Sequence, residues 1–522
     1  MLGHAASELT STLMELRSNV AADSPGFGSI CRGLSFAGAA VPAPAPAAAI
    51  VRAIDQGQGS LSAKPLTVGA MEKPMPNALV AELTTPVPRY TSYPTAPHFH
   101  AGIGQAQYET WLAELPADAR ISLYLHLPFC DRLCWFCGCH TKQVNRYAPI
   151  AHYLQALHAE ISRIGALIGQ RPVTAIHWGG GSPSMLAAAD IAAVTALLRQ
   201  AFNVTDTVEF SVELDPSDME PAKFDAWAAA GLTRASIGVQ DFDPRVQAAI
   251  NRLQSYDQTR TVVEAMRSRG VASINIDMLY GLPHQTVAGA VDTARQVVSL
   301  QPERIALFGY AHVPWIKKHQ SMIDDKVLPD SQQRFAQATA AADVLRAAGY
   351  VNIGFDHFAL PHDAMAVAAA AGTLQRNFQG YTVDEHDALI GLGASAIGRL
   401  PQGYVQNIVA TGDYERHALA GTGTVARGLA FTADDKLRGH AIERLMCDFR
   451  LSFADLRQRF GAAAEPVICE AVTFAMEDTR GLATLQPGTL VITDAGRPFV
   501  RTVAATFDAY LAQDSARYSK AI

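Results

Sequence analysis

Cysteine is scarce in this chain, with seven among 522 residues. The count is odd and no secretory signal is recognisable, so a disulfide framework is not expected and a reducing, cytoplasmic compartment is. Charge is sparse as well. Charged residues make up 17%, the net charge is -7, and no basic run occurs. That balance argues against a nucleic-acid partner. No apolar run reaches the length of a membrane span, so no membrane location is expected. Basic residues are few in the first seventy positions, which leaves a targeting peptide without support. What is abundant is apolar: 49% hydrophobic residues over a length suited to two or three cores.

Residues 1–75 differ from the rest. The segment AGAAVPAPAPAAAI at 37–50 is Ala/Pro low complexity, and 54–70 is rich in Gly and Ser. Such composition cannot bury enough apolar surface to order itself. A short helix is expected over 7–20. The whole segment reads as a disordered or misannotated extension, with Met71 or Met75 as the true start. Residues 76–120 then form an N-terminal strap.

Four of the seven cysteines crowd into YLHLPFCDRLCWFCGCH: Cys130, Cys134, Cys137 and Cys139. The first three have the spacing C-x3-C-x2-C. Thiolate is the usual protein ligand of iron–sulfur clusters, and four are normally needed. Three thiolates on one irregular loop leave one iron of a cubane open to a small molecule. Zinc is the commonest rival, but structural zinc draws on two separated Cys pairs, and no second pair exists. Cys31, Cys447 and Cys469 are isolated and read as free cysteines.

From residue 121, short β-branched or apolar runs alternate with amphipathic helical stretches. Strands are predicted at 121–127, 173–179, 208–214, 234–240, 273–279 and 304–310. Helices are predicted between them, as at 150–168 and 287–300. Six such units predict an α/β fold, an open (β/α)6 partial barrel over 121–400 with its site at the carboxyl ends of the strands. Residues 401–522 read as mainly helical and winged-helix-like. A helix is predicted over 434–461, and a hairpin followed by a helix over 482–511.

Polar residues collect at those strand ends. Strand two runs into Gly179-Gly180-Gly181-Ser182, strand three into Glu213 and Asp215, and strand four into Gln240. Strand five carries Asp277, and strand six ends near Tyr310, Ala311 and His312. Glycines let backbone approach a ligand closely, and free N–H groups can bind polar groups. Glu213 and Asp277 could accept from ribose hydroxyls or an amino group. Arg252 could pair with a carboxylate; read alone, it is a surface cation on a helix.

The cysteine spacing resembles the signature of the radical S-adenosylmethionine (SAM) enzymes. A closer resemblance runs from about Pro88 to the C-terminus. It is carried by PRYTSYPTA (88–96), the cysteine loop, HWGGGSPS (177–184), VELDP (212–216), SIGVQDF (236–242), NIDMLYGLP (275–283), RNFQGYT (376–382) and GLGASAI (391–397). Together these blocks resemble the oxygen-independent coproporphyrinogen III oxidase family. The resemblance implies a [4Fe–4S] cluster on Cys130, Cys134 and Cys137, with Cys139 as a non-ligating cysteine that acts later in the reaction. It implies SAM contacts at Tyr124, Phe136, Gly180, Gly181, Ser182, Glu213, Gln240, Arg252, Asp277, Ala311 and Ile397, and a second SAM near the first. At Ser182 the family usually has Thr; both supply a hydroxyl.

The implied reaction is oxidative decarboxylation of two propionates of coproporphyrinogen III to vinyl groups, giving protoporphyrinogen IX. A low-potential donor such as flavodoxin or ferredoxin, an unidentified electron acceptor and a monomeric state are implied with it. Four substrate carboxylates call for cations, and Arg89 and Arg376 are candidates. The PRYTSYPTA segment reads either as a shield over the site or as a packed terminus. Two rivals are weighed. A haem chaperone of the same superfamily lacks the fourth cysteine and the strap. A DNA-reading redox sensor is disfavoured by the acidic charge.

Overall fold

A computed structural model describes residues 77–511 and 518–519. The expected extension, its helix at 7–20, the two candidate start methionines and Cys31 lie outside the described residues.

The six predicted strands form where alternation places them: β1 Ile121–Leu127, β2 Pro172–Gly180, β3 Asn203–Leu214, β4 Arg234–Gln240, β5 Ser273–Tyr280 and β6 Arg304–Gly309. They pair in parallel, in chain order. Helices α1 Ala148–Ile168, α2 Ala188–Ala201, α3 Pro221–Ala230, α4 Tyr256–Ser268 and α5 Val287–Ser299 return the chain between them. Each crossover starts at the same end of the sheet, so six carboxyl ends share one rim.

The period of two decides which side chains face inward. On β4, Ala235, Ile237 and Val239 are buried, while Ser236, Gly238 and Gln240 between them are half-buried. On β5, Ile274 and Ile276 are buried and alternate with Asn275 and Asp277. The apolar set packs into one core with the helices. Burial contributes roughly 1.5–3 kcal/mol for each large aliphatic residue, so this face is committed and the polar one must point inward.

The sheet continues beyond the six strands. Strands β7 Val351–Ile353 and β8 His357–Ala359 add antiparallel beside β6. Strand β9 Ala388–Leu392 pairs parallel with β1, and β10 Ile397–Leu400, β11 Gly403–Asn407 and β12 Val425–Ala430 follow antiparallel. Among the described residues the order is β12-β11-β10-β9-β1-β2-β3-β4-β5-β6-β8-β7. Residues beyond 400 are mainly helical, as expected, and β11 and β12 are the strands among them that extend the main sheet. Gln406 and Asn407 are buried yet polar, satisfied by the Ser395 carbonyl and by Glu160. A buried polar strand end of this kind leaves no apolar alternation to read.

The C-terminal region is helical with a small sheet. Helix α6 Ala433–Asp448 stops at Phe449, whose φ is 55°. The single helix predicted over 434–461 is therefore broken by Arg450–Ser452, a strand that joins the hairpin Ala483–Gln486/Thr489–Ile492. Tyr90 and Tyr93 of the strap are buried in this region's core with Leu445, Phe499 and Phe507. Tyr90 donates to Asp508 at 3.0 Å, and Arg501 donates to the Pro88 carbonyl at 3.0 Å. No helix among the described residues is long and apolar enough to cross a membrane.

Candidate active site

The cysteine loop leaves the carboxyl end of β1 and is pinned at both ends. Phe129–Cys130 bridges in parallel to Lys142–Gln143. Between them, Trp135 N–H donates to the Ile250 carbonyl at 2.9 Å, and Asn251 Nδ2 donates to the Leu133 carbonyl at 2.9 Å. His319 Nε2 donates to the Cys137 carbonyl at 2.7 Å, and Lys317 Nζ to the Cys139 carbonyl at 2.9 Å. Phe136 packs against a satellite cluster that includes Val246, Ile250, Leu279 and Tyr310. Gln320 donates to both the Phe136 and the Ala311 carbonyls, at 2.9 and 3.1 Å. The loop is irregular, but these bonds hold its backbone at several points.

Cys130, Cys134, Cys137 and Cys139 are all free. Cys130 Sγ lies 2.9 Å from Thr141 Oγ1, Cys134 Sγ lies 3.7 Å from Arg252, and Cys139 N–H donates to Cys137 Sγ at 3.3 Å. Burial pushes the Cys130 thiol up to about 12 and also raises Cys134. The hydrogen bond from Cys139 brings Cys137 down to about 7. Among the described residues no three His, Cys, Asp or Glu side chains are drawn together as a metal site. Thr141, Arg252 and Cys139 are the respective neighbours of the Cys130, Cys134 and Cys137 sulfurs. The donor set itself, three unpaired thiols on one anchored loop, suits an iron–sulfur cluster.

Glu213 stands at the end of β3 and faces inward. Its side chain is 42% accessible, open to the barrel interior. It accepts from Gly180 N–H at 3.1 Å and from His177 Nε2 at 3.4 Å. Burial pushes its carboxyl up, but the His177 hydrogen bond and charge and the Gly180 N–H outweigh it and leave the group below its ordinary range. Asp277 behaves in the opposite way. It accepts from Asn275 at 2.8 Å and Ser236 at 3.3 Å, and burial, with Glu213 adding repulsion, pushes it up to about 6.

Tyr124 stacks on His177, with ring centroids 5.8 Å apart. His126 Nε2 faces the His140 carbonyl at 2.9 Å and must donate to it, so Nδ1 accepts from the Tyr124 hydroxyl at 3.0 Å. Burial lowers His126 to about 4, so the ring is neutral near pH 7.

The glycine run does something other than offer free N–H groups. Gly180 N–H goes to Glu213, Gly181 N–H to the Leu127 carbonyl at 2.7 Å, and Ser182 N–H to the Phe129 carbonyl at 2.7 Å. A Cβ on Gly181 would sit 2.4 Å from the Phe129 carbonyl oxygen. What glycine supplies is close approach of β2 to the root of the cysteine loop. The Ser182 hydroxyl is buried and donates to Asp218 at 2.7 Å.

Arg252 is not the surface cation that its residue type suggests. It is 7% exposed, in the turn after the helix Pro244–Ala249. It donates to Asp215 at 2.9 Å and to the Gly238 carbonyl at 2.6 Å, and its Nε is buried without a hydrogen-bond partner. Arg132, inside the cysteine loop, donates to both Asp215 oxygens at 3.1 Å. Asp215 thus ties the loop to Arg252. Arg132 was not foreseen as a site residue; its place inside C-x3-C was the only signal. Gln240 ends β4 with φ at 70°, beside a register shift in the ladder. Ile397 opens β10 with its backbone against Gly391, the partner of Tyr124 in the β1–β9 ladder.

Comparison with known proteins gives this geometry a family. The description "Radical SAM superfamily" matches residues 124–297, and "HemN C-terminal domain" matches 431–499. The oxygen-independent coproporphyrinogen III oxidase of Bradyrhizobium diazoefficiens is 49% identical over 437 residues, 84% of this chain and 97% of the relative. That of Paracoccus denitrificans is 45% identical, covering 81% of this chain and 94% of the relative. The chain belongs to the oxygen-independent coproporphyrinogen III oxidase family. The solved coproporphyrinogen III oxidase (HemN) from Escherichia coli, a radical SAM enzyme, is 36% identical with a TM-score of 0.79, covering 84% of this chain and 99% of that one. This coproporphyrinogen III oxidase family member is therefore a radical SAM oxidoreductase by fold and by descent.

In this family member a further cavity of about 160 Å³ opens where β5 and β6 end. Tyr280, Phe308 and Gly309 line it from the barrel, and four arginines surround it: Arg89, Arg334, Arg376 and Arg501. Arg89 and Arg376 were candidates from the sequence. Arg334 and Arg501 were not, because nothing in their local sequence marks them.

Proposed function

We propose that this chain is an oxygen-independent coproporphyrinogen III oxidase, which converts two propionates of coproporphyrinogen III to vinyl groups and yields protoporphyrinogen IX. In this reading Cys130, Cys134 and Cys137 would hold a [4Fe–4S] cluster. Tyr124, Phe136, Gly180, Gly181, Ser182, Glu213, Gln240, Arg252, Asp277, Ala311 and Ile397 would hold SAM, with a second SAM alongside. When bound, these groups supply one-electron chemistry that removes a hydrogen atom from a propionate, after which the substrate loses CO2 and an electron.

The observation that carries the reading is the connection of the three-thiol loop, through Asp215 and Arg252, to the ends of β3 and β4. The chain's own residues then have definite tasks. Glu213, kept ionised, offers an acceptor to an ammonium group or to hydroxyls. Asp277 offers a second acceptor. The Arg252 cation faces Cys134 and favours its thiolate form. Neutral His126 fixes Tyr124 against the interior. Cys139 lies just outside the ligand triplet and suits a role with the substrate. A low-potential donor such as flavodoxin or ferredoxin feeds the reaction, an unidentified acceptor drains it, and the enzyme works as a cytoplasmic monomer.

The deciding experiment is anaerobic turnover of reconstituted protein with SAM, a low-potential reductant, coproporphyrinogen III and an electron acceptor. Cluster-dependent formation of both protoporphyrinogen and 5′-deoxyadenosine is expected. Deoxyadenosine without the porphyrinogen product would overturn the substrate, and tight haem binding with neither product would favour the chaperone.

A further inference from the structure

The arginine cavity has an unusual composition. Its guanidinium groups come from four distant segments: Arg89 on the strap, Arg334 on the helix Ser331–Ala347, Arg376 on the ribbon strand Gln375–Asn377, and Arg501 in the C-terminal region. Facing them is one carboxylate, Asp356, itself bonded to His357 Nδ1 at 2.6 Å. Arg89 and Arg376 make no ion pair among the described residues. Arg89 donates to the Gly309 carbonyl at 2.9 Å. Arg376 donates to the Tyr90 carbonyl at 3.2 Å, stacks 4.4 Å from the Tyr381 ring centre, and keeps a buried Nη1 with no hydrogen-bond partner. Burial lowers the pKa of Arg334 and Arg501, and Arg501, beside Arg89, falls to about 9.

Gathering cations with so little opposing charge is unfavourable in the free protein. The arrangement makes sense if an anion arrives with the ligand. Guanidinium is matched to carboxylate by its two parallel donors, and arginine outperforms lysine for that purpose. Phe308, Phe355 and Phe378 supply flat apolar walls to the same cavity. Flat apolar surface beside carboxylates is the outline of a propionate-bearing tetrapyrrole.

We propose that this cavity anchors the substrate propionates that are not decarboxylated. The inference rests on the function proposed above and assigns the part of the substrate that this cavity takes. Its physical ground is the fate of charge. A reacting propionate gives up its negative charge as CO2 and an electron leave. Guanidinium groups around that carboxylate would stabilise the reactant and oppose the loss. A strong cationic clamp therefore suits carboxylates that persist in the product, and it leaves the reacting arm to the cysteine rim.

The test is direct titration of the full-length, cluster-loaded protein, followed by tetrapyrrole fluorescence and independent of turnover. The probes are coproporphyrin III, mesoporphyrin IX with its two propionates, and mesoporphyrin IX dimethyl ester. Mesoporphyrin IX is expected to compete with coproporphyrin III, and the ester is not. Arg376→Gln is expected to weaken both acids by roughly tenfold or more, the loss of one charge-assisted pair. Arg89→Gln, which gives up a single hydrogen bond to Gly309, is the second variant should Arg376→Gln fold poorly. Equal binding of acid and ester, or undiminished binding by the correctly folded variant, would overturn the anchor. Absent turnover with arginine-dependent binding would instead sink the oxidase reading, and with it the assignment to retained propionates, leaving a site for tetrapyrrole carboxylates.

Discussion

Arg252 donates to Asp215 at 2.9 Å and, through the same nitrogen, lies 3.7 Å from the Cys134 sulfur. Arg132 approaches the same carboxylate from within the cysteine loop. Burial pushes the Asp215 carboxyl up, yet Arg252 and Arg132 outweigh it and hold it below its usual range. Asp215→Asn leaves two guanidinium groups without their shared anion. Its expected effect is a destabilisation of roughly 3–5 kcal/mol, typical of breaking a buried ion pair from one side. Urea unfolding measured beside wild type checks it, and a difference within error would show that the two arginines are satisfied elsewhere.

Cys134→Ser is expected to reduce cluster iron and sulfide to background while far-UV circular dichroism stays unchanged. The alcohol cannot replace a thiolate ligand, and the loop backbone is anchored independently by Ile250, Asn251 and Gln320. Wild-type iron content in that variant would remove Cys134 from the ligand set.

Cys139→Ser separates ligation from later chemistry. The cluster absorbance is expected to persist and product formation to fall. Loss of iron would mean that the division of roles between Cys137 and Cys139 is wrong.

Gly181→Ala tests close approach without touching a thiol. The added Cβ would meet the Phe129 carbonyl oxygen at 2.4 Å and its nitrogen at 2.7 Å. Both are backbone atoms at the root of the cysteine loop, so the loop must shift. Reconstituted iron content is expected to drop below wild type. Full occupancy would show that the loop yields more easily than its hydrogen bonds suggest.

Asp277 gives a pH prediction of definite sign. Its folded-state pKa, about 6, lies above the ordinary carboxylate value of 3.8. The folded protein holds this proton more tightly than the unfolded chain. The group's contribution to stability is therefore greatest below about pH 4 and declines as pH rises through about 6. Asp277→Asn removes that decline, so the variant's unfolding free energy is expected to fall less than wild type's between pH 4 and 7. Parallel profiles would show that the carboxyl titrates at its ordinary pKa.

Much of the barrel could be read in the order of residues. Ile274, Ile276 and Asp277 alternate in the chain as they alternate across the sheet, because a strand's side chains have a fixed period and apolar burial selects the face. The cysteine spacing is likewise local, so the loop was visible before any fold. The strand Gly403–Asn407 was not visible, since its buried Gln406 and Asn407 are satisfied only by partners far away in sequence. Arg252 looked like a surface cation because the carboxylate that buries it stands 37 residues earlier.

The sequence by itself determined which segments become strands and helices, which faces they bury, and which cysteines share a loop. Those outcomes depend on interactions between near neighbours and on burial of a repeating apolar face. Only the tertiary structure decided that Arg89, Arg334, Arg376 and Arg501 meet around one cavity. That convergence follows from packing the strap and the C-terminal region on each other and on the barrel rim, and no local pattern encodes it.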